Sequence, residues 1–255
     1  MIKLKRKNGF SRPFGLTQVL TWALVLLEIV FIPLFVISVL RVGLIVRCKQ
    51  VVCSAVFVFS FGAMAYFWRK VSVIDFSDSA KYDVQNGKLC NYCLGMVNFH
   101  CKHCKVCNKC VYKFDHHCSV LNTCIGEKNY KGFILLLASI LVFKLNILVF
   151  SLRNIVMFFF FKPAFTIDNK FFFNSVNMKA VIIVNLSVFI LMFFICLYTS
   201  YLLCFHWYLN SKKMTTYDYI ISKKSTKVTT TYIKESIGNK TEIENTRITP
   251  NSNLT

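Results

Sequence analysis

A window of 35 residues, Cys90 to Cys124, carries eight cysteines and four histidines, and long apolar runs flank it on both sides. This pairing limits the possible folds more than any other feature of the chain. Runs of that length call for a bilayer. The window is too rich in thiol and imidazole to be explained by packing, and Cys/His pairs at short spacing point to metal.

The composition agrees with a membrane protein. Residues of hydrophobic type make up 55% of the 255, Phe alone accounts for 26, and the mean hydropathy is +0.52. A soluble domain has fewer apolar residues even when Gly is counted. The net charge is +20, from 31 Lys/Arg against 11 Asp/Glu. Basic residues flank the apolar runs and do not form one face, so an anionic membrane surface explains them better than nucleic acid, which is not expected as a partner. Four of the twelve cysteines (Cys48, Cys53, Cys196 and Cys204) lie in or beside apolar segments, where a thiol behaves as a small hydrophobe. The other eight are interleaved with His and Lys at zinc-like spacings, which implies a reducing compartment.

The expected fold class is an all-α polytopic membrane protein. Four helices are expected over Thr17–Leu40, Val51–Trp68, Phe133–Leu152 and Ala180–Trp207, with a cytosolic two-zinc cysteine-rich domain between the second and third. The expected domains are an N-terminal arm (1–16), helices 1 and 2 (17–68), the zinc domain (69–132), helices 3 and 4 with an aromatic loop (133–207), and a basic tail (208–255), largely disordered. Arg41, Arg47 and Lys49 mark a tight hairpin between the first two helices. Lys/Arg number five in residues 1–16, ten in 69–131 and eight in 208–255, against three in 41–50 and four in 153–179. This bias puts both termini and the zinc domain in the cytosol. The protein is expected in endomembranes (ER or Golgi) or the plasma membrane. Glu28, Lys144 and Asn146 fall inside the apolar runs, where ionisable or polar groups draw attention.

Within the window, Cys-x2-Cys pairs start at Cys90, Cys101, Cys104 and Cys107. Each can supply two ligands from one turn. Two tetrahedral sites need eight ligands and twelve candidates are present; spacing alone does not choose among them. Asp115-His116-His117-Cys118 adds a possible chemistry. A nucleophilic cysteine needs a base in reach, and the base needs an orienting group. The same four residues can equally be read as further ligands or surface polar groups.

The window is similar to the cysteine-rich domain of the DHHC protein S-acyltransferases (palmitoyltransferases). The match runs through Cys90, Cys93, His103, Cys104, Cys107, Cys110, Asp115, His116, His117, Cys118, Cys124, Asn129 and Phe133. A further family motif, Thr-Thr-x-Glu, appears as Thr215-Thr216-Tyr217-Asp218. The resemblance implies one zinc held by Cys90, Cys93, His103 and Cys110, and a second held by Cys104, Cys107, His117 and Cys124. It implies Cys118 as the acyl-accepting nucleophile, His116 as its general base and Asp115 as the group orienting His116. His100 and Cys101 take no family role. The implied reaction is ping-pong transfer of a long-chain acyl group, such as palmitoyl, from acyl-CoA to Cys118 and on to a membrane-proximal cysteine of a substrate protein.

The chain departs from the family at Val97, Asn98, Phe99 and His100, where Lys-Pro-x-Arg is usual. Ser119-Val120 replaces Pro-Trp, and Thr123 replaces a common Asn. These losses keep open a non-catalytic zinc-binding scaffold. A RING-like ubiquitin ligase also binds two zincs, but such a domain has no need of the Asp-His-His-Cys run.

Overall fold

The computed structural model describes residues 5–39, 44–75, 87–161, 178–226 and 228–229. Two units are distinguished, Met1–Tyr208 and Leu209–Thr255. In the first, helices α1 (Leu16–Val39) and α2 (Leu44–Val73) precede six short strands. These are β1 (Lys88–Cys90), β2 (Gly95–Val97), β3 (Cys101–Cys104), β4 (Lys109–Tyr112), β5 (His116–Cys118) and β6 (Thr123–Ile125). Helices α3 (Glu127–Phe160) and α4 (Met178–Ser211) follow.

The helices differ from expectation at their ends. The charged stretch with Arg47 and Lys49, expected as a hairpin loop, forms the first turns of α2. Hydrophobicity reports the solvent a helix meets, whereas helicity follows from local backbone bonding, so a helix can continue past the apolar core of a membrane. The same holds for α3, which starts six residues before Phe133 and ends eight after Leu152. By length and composition, α3 and Ile182–Ser211 of α4 are each able to cross a membrane, while Leu16–Glu28 of α1 is a shorter apolar stretch. Most of the aromatic loop and the tail beyond 229 lie outside the described residues.

The all-α description covers the helices alone. The cysteine-rich window folds as three two-stranded antiparallel hairpins, β1–β2, β3–β4 and β5–β6. Hairpins this short have little core of their own. Beneath them lies a cluster formed by Phe57, Met64 and Val71 of α2 with Phe133, Leu136, Leu137 and Phe143 of α3; Leu121 and Ile125 of the third hairpin join it. Phe143 sits 5.0 Å from Phe57 and 5.4 Å from Phe61, ring to ring. Burial against the helices gives the third hairpin the apolar contact it cannot make alone.

Polar groups inside the helices pair. Lys144 of α3 bonds to Glu28 of α1, and Asn154 of α3 donates to Asn185 of α4 at 3.0 Å. Asn146 donates back to the Val142 carbonyl at 2.7 Å.

The N-terminal arm is a strap across the hairpins. Arg6 N–H donates to Cys107 O (3.0 Å), Gly9 N–H to Ser72 O (2.8 Å), Asn122 Nδ2 to Pro13 O (3.2 Å) and Thr17 Oγ1 to Ser119 O (3.1 Å). Gly9 is required by contact: a Cβ there would lie 2.3 Å from Leu121 O. Lys109, almost fully buried, donates to Lys7 O and pairs with Asp75.

In the second unit, residues 216–226 are helical. Thr215 Oγ1 accepts from Asp218 N–H (3.1 Å) and donates to Asp218 Oδ2 (2.8 Å), while Thr215 N–H also reaches Oδ2 (3.3 Å). This is a reciprocal cap of the S/T-x-x-E type. Asp218 fills the place of the glutamate despite its shorter side chain.

Candidate active site and metal centres

Two of the Cys-x2-Cys pairs, Cys90/Cys93 and Cys104/Cys107, adopt the same turn. Cys93 N–H points to Cys90 Sγ and Cys107 N–H to Cys104 Sγ, each at 3.5 Å. The next residue, Leu94 or Asn108, takes a left-handed backbone, with φ of 52° and 50°. Asn accepts that conformation readily; Leu does so rarely, and its place in the turn holds it there.

Strand alternation then sorts the remaining ligands. Successive residues of a strand face opposite sides. On β3, His103 faces one way, opposite Cys110 of β4, and Cys104 faces the other. On β5, His117 lies opposite Cys124 of β6. Cys90, Cys93, His103 and Cys110 converge in one group, and Cys104, Cys107, His117 and Cys124 in another, with all ligand atoms of a group within 4.8 Å of one another.

The spacings fit a tetrahedral ion. Zn–S of about 2.3 Å and Zn–N of about 2.0–2.1 Å give edges of about 3.8 Å between sulfurs and about 3.6 Å from sulfur to nitrogen. In the first group His103 Nδ1 lies 3.8, 3.2 and 3.7 Å from Cys90, Cys93 and Cys110, and Cys93 lies 3.7 Å from Cys110. In the second, His117 Nδ1 lies 3.9, 3.4 and 3.8 Å from Cys104, Cys107 and Cys124. The protons tell the same story. A hydrogen bond to Cys107 holds the Cys104 thiol far below its usual range, and the bond to Cys104 pushes Cys107 up to about 11 and Cys124 well above the usual range. Crowded sulfurs cannot all ionise unless a cation shares the site. Both groups could therefore hold a metal ion.

The other face of β5 carries different chemistry. His116 and Cys118 share it with Ile125 and Thr123. Asp115 is 3% exposed, and its Oδ2 lies 2.7 Å from His116 Nδ1. A carboxylate only accepts, so Nδ1 carries the proton in this bond and Nε2 is left for another partner. Burial disfavours a charged His116, but hydrogen bonds to Asp115 and Cys118 outweigh it and push the imidazole up to about 9. Cys118 is half-buried and packs against the α2–α3 cluster. Thr123 Oγ1 is buried beneath it with no hydrogen-bond partner among the described residues.

Asn129 joins this site to α3. Its Oδ1 accepts from Gly126 N–H and its Nδ2 donates to Cys124 O, both at 2.9 Å. Phe133, one turn on, meets the His116 ring edge-on at 5.3 Å. His100 is exposed and makes an edge contact with Tyr112. Cys101 is buried with Cys90, Val97 and Cys110 as a small hydrophobe and belongs to neither ligand group.

Residues 83–223 match the model of the DHHC palmitoyltransferase family. The chain belongs to that family. It is thus a membrane protein with a cysteine-rich zinc-binding domain. It is 30% identical to palmitoyltransferase ZDHHC11 of Homo sapiens, an alignment covering 87% of this chain and 61% of that protein. Identity is also 30% to probable palmitoyltransferase ZDHHC11B of Homo sapiens, over 87% of this chain and 67% of the relative. Probable protein S-acyltransferase 15 of Arabidopsis thaliana is 32% identical over 56% of this chain and 51% of its own length. The chain therefore spans about three-fifths of the first human relative.

Sequence reasoning missed one residue of this DHHC site. His206 of α4 is 4% exposed, and its ring centre lies 6.1 Å from that of His116. It is the one histidine outside the cysteine-rich window. That isolation in an apolar run was the available signal.

Proposed function

We propose that the chain is a protein S-acyltransferase that loads a long-chain acyl group from acyl-CoA onto Cys118 and passes it to a cysteine of a membrane-associated protein. The observation that carries this reading is the Asp115–His116 hydrogen bond with Cys118 beside His116 on the same face of β5, turned away from the ligands.

In the first half-reaction His116 Nε2 takes the Cys118 proton. The sulfur attacks the thioester carbonyl, a new C–S bond forms, and the bond to CoA sulfur breaks. CoA leaves with the proton returned by His116. In the second half, the substrate thiol gives its proton to His116 and attacks the acyl carbonyl, and Cys118 leaves and is reprotonated. One thioester replaces another at each step, so positioning and proton transfer carry the catalysis. Asp115 keeps His116 in the tautomer with Nε2 free and favours the imidazolium that forms in each half.

Two zinc ions, held by the two ligand groups, would supply structure alone, because four protein ligands leave no open position. Lys102 and Lys105 give the window a positive charge suited to the phosphates of CoA, whereas Lys109 is buried against Asp75 and Lys113 pairs with Glu127. α1 and α2, of 24 and 30 residues, extend about 36 and 45 Å at about 1.5 Å per residue. With α3 and α4 they make four spans, with the hairpins and both termini on the cytosolic side. The acyl chain would lie among them, each buried CH₂ contributing about 0.8 kcal/mol.

The test is incubation of membranes containing wild type or Cys118→Ser with a panel of clickable acyl-CoAs. Wild type takes up hydroxylamine-sensitive label and Cys118→Ser takes up none while retaining its metal. Label at wild-type level in Cys118→Ser would remove Cys118 from the reaction.

A further inference from the structure

His206 reaches the reaction centre from α4. Tyr130 of α3 bonds to His206 Nδ1 through its hydroxyl at 3.1 Å, across 76 residues of chain. The His206 ring meets Phe133 edge-on at 5.3 Å and Tyr130 at 5.7 Å. Phe133 and His206 both contact the His116 ring, at 5.3 and 6.1 Å. A buried imidazole is an expensive wall element when Leu would fill the same space, unless its polar atom has a partner and a reason to be fixed. Tyr130 is that partner, and its bond fixes the ring plane.

The base itself has one strong tether. Asp115 grips His116 at Nδ1, and a single contact at that atom does not by itself set the tilt of the ring. Turning the ring so that Nε2 faces Cys118 requires packing on its faces. Phe133 supplies one contact and His206 the other, the second adjustable only at the expense of the Tyr130 bond.

We propose that His206, fixed by Tyr130, is a positioning residue for His116: it forms the wall that keeps the general base turned toward Cys118. The proposal rests on the acyltransferase reading for its catalytic consequence, while the geometry it describes is independent of the acyl donor. It also assigns α4 a part in the reaction centre besides lining the membrane.

The experiment uses the full chain in lipid nanodiscs, with palmitoyl-CoA as donor, and compares wild type, His206→Ala, Tyr130→Phe, His116→Ala and the His116→Ala/His206→Ala double variant. Three quantities are read: the single-turnover rate and KM of self-acylation, the rate of Cys118 alkylation by iodoacetamide followed by peptide mass spectrometry, and bound metal. His206→Ala is expected to lower the acylation rate about tenfold or more, because a small misplacement of a catalytic group has a large effect. Its KM and metal content stay at the wild-type level, and Cys118 alkylation slows in parallel. Tyr130→Phe gives a smaller loss of the same kind. In the His116→Ala background, His206→Ala adds nothing, the signature of two residues acting through one step. An unchanged rate for His206→Ala, an equal further loss on top of His116→Ala, or a loss matched by lost metal would each overturn the proposal. If wild type takes no label from palmitoyl-CoA, the acyltransferase reading fails. The alkylation arm then decides the positioning role: slowed alkylation upholds it and unchanged alkylation overturns it.

Discussion

His117 and Cys118 are adjacent in sequence and face opposite sides of β5, His117 toward the sulfurs of Cys104, Cys107 and Cys124, Cys118 toward His116 and the α2–α3 cluster. One peptide bond separates the face turned to the clustered sulfurs from the face shared with His116. Replacing neighbouring histidines should therefore give opposite phenotypes. His117→Ala is expected to lose one metal ion and lower the melting temperature. His116→Ala is expected to keep both ions and lose about 10²–10⁴-fold in the rate of self-acylation, the usual worth of a general base. Metal analysis alongside single-turnover kinetics checks both.

Asp115→Asn keeps the shape of the orienting side chain but removes its charge. Either amide group can face His116, so the tautomer with Nε2 free is no longer enforced. Acylation is expected to fall about 10²-fold or more with metal content unchanged.

Stability should depend on pH through His116. Its folded pKa of about 9 lies above the reference value of 6.5, so the folded state binds the proton more tightly. The resulting stabilisation is complete below about pH 6.5 and disappears as pH rises through about 9. Thermal melts across that range should show a decline in wild type that is reduced in Asp115→Asn, where the main partner of the imidazolium is lost. A decline of equal size in both would contradict the assignment.

Gly126 joins β6 to α3, where the backbone passes close to the second hairpin. A Cβ there would lie 2.7 Å from Val111 Cγ1 and 2.9 Å from Tyr112 O. Its φ of −157° is open to any residue, so contact alone excludes a side chain. Gly126→Ala is expected to destabilise by about 1–3 kcal/mol, read from denaturation, with Cys124 metal binding weakened because the same junction carries Asn129.

The Glu28–Lys144 pair is buried between α1 and α3. Removing one partner leaves an unpaired charge, and Glu28→Gln or Lys144→Met should each destabilise by about 3–5 kcal/mol. The double replacement with Leu and Met should recover most of that loss. Thermal unfolding in nanodiscs of the two single variants and the double variant completes the comparison.

Much of the site can be read from the order of residues, because the knuckles and the Asp-His-His-Cys run are local. Spacing alone does not divide the twelve Cys and His candidates; hairpin register draws eight of them into two groups of four. Which of His103 and Cys104 faces which group depends on strand pairing across the Asn108 turn, and spacing does not report pairing. The start of α2 was misplaced for a different reason: Arg47 and Lys49 look like loop residues when charge is taken as a sign of backbone conformation. His206 lies 76 residues from Tyr130, and no local pattern links a lone imidazole in an apolar helix to a distant hydroxyl.

The strap formed by residues 6 to 17 has a consequence for the order of assembly. Its partners Ser72, Cys107, Ser119 and Asn122 are all made later than the strap itself. The strap, made before these partners, must therefore wait, unseated, until the hairpins have formed. Its docking is a late closing event, and the loop following Cys118, which it bonds at Ser119 and Asn122, reaches its final position only then. A bulky group attached beside the strap would interfere with maturation at a residue more than a hundred positions downstream.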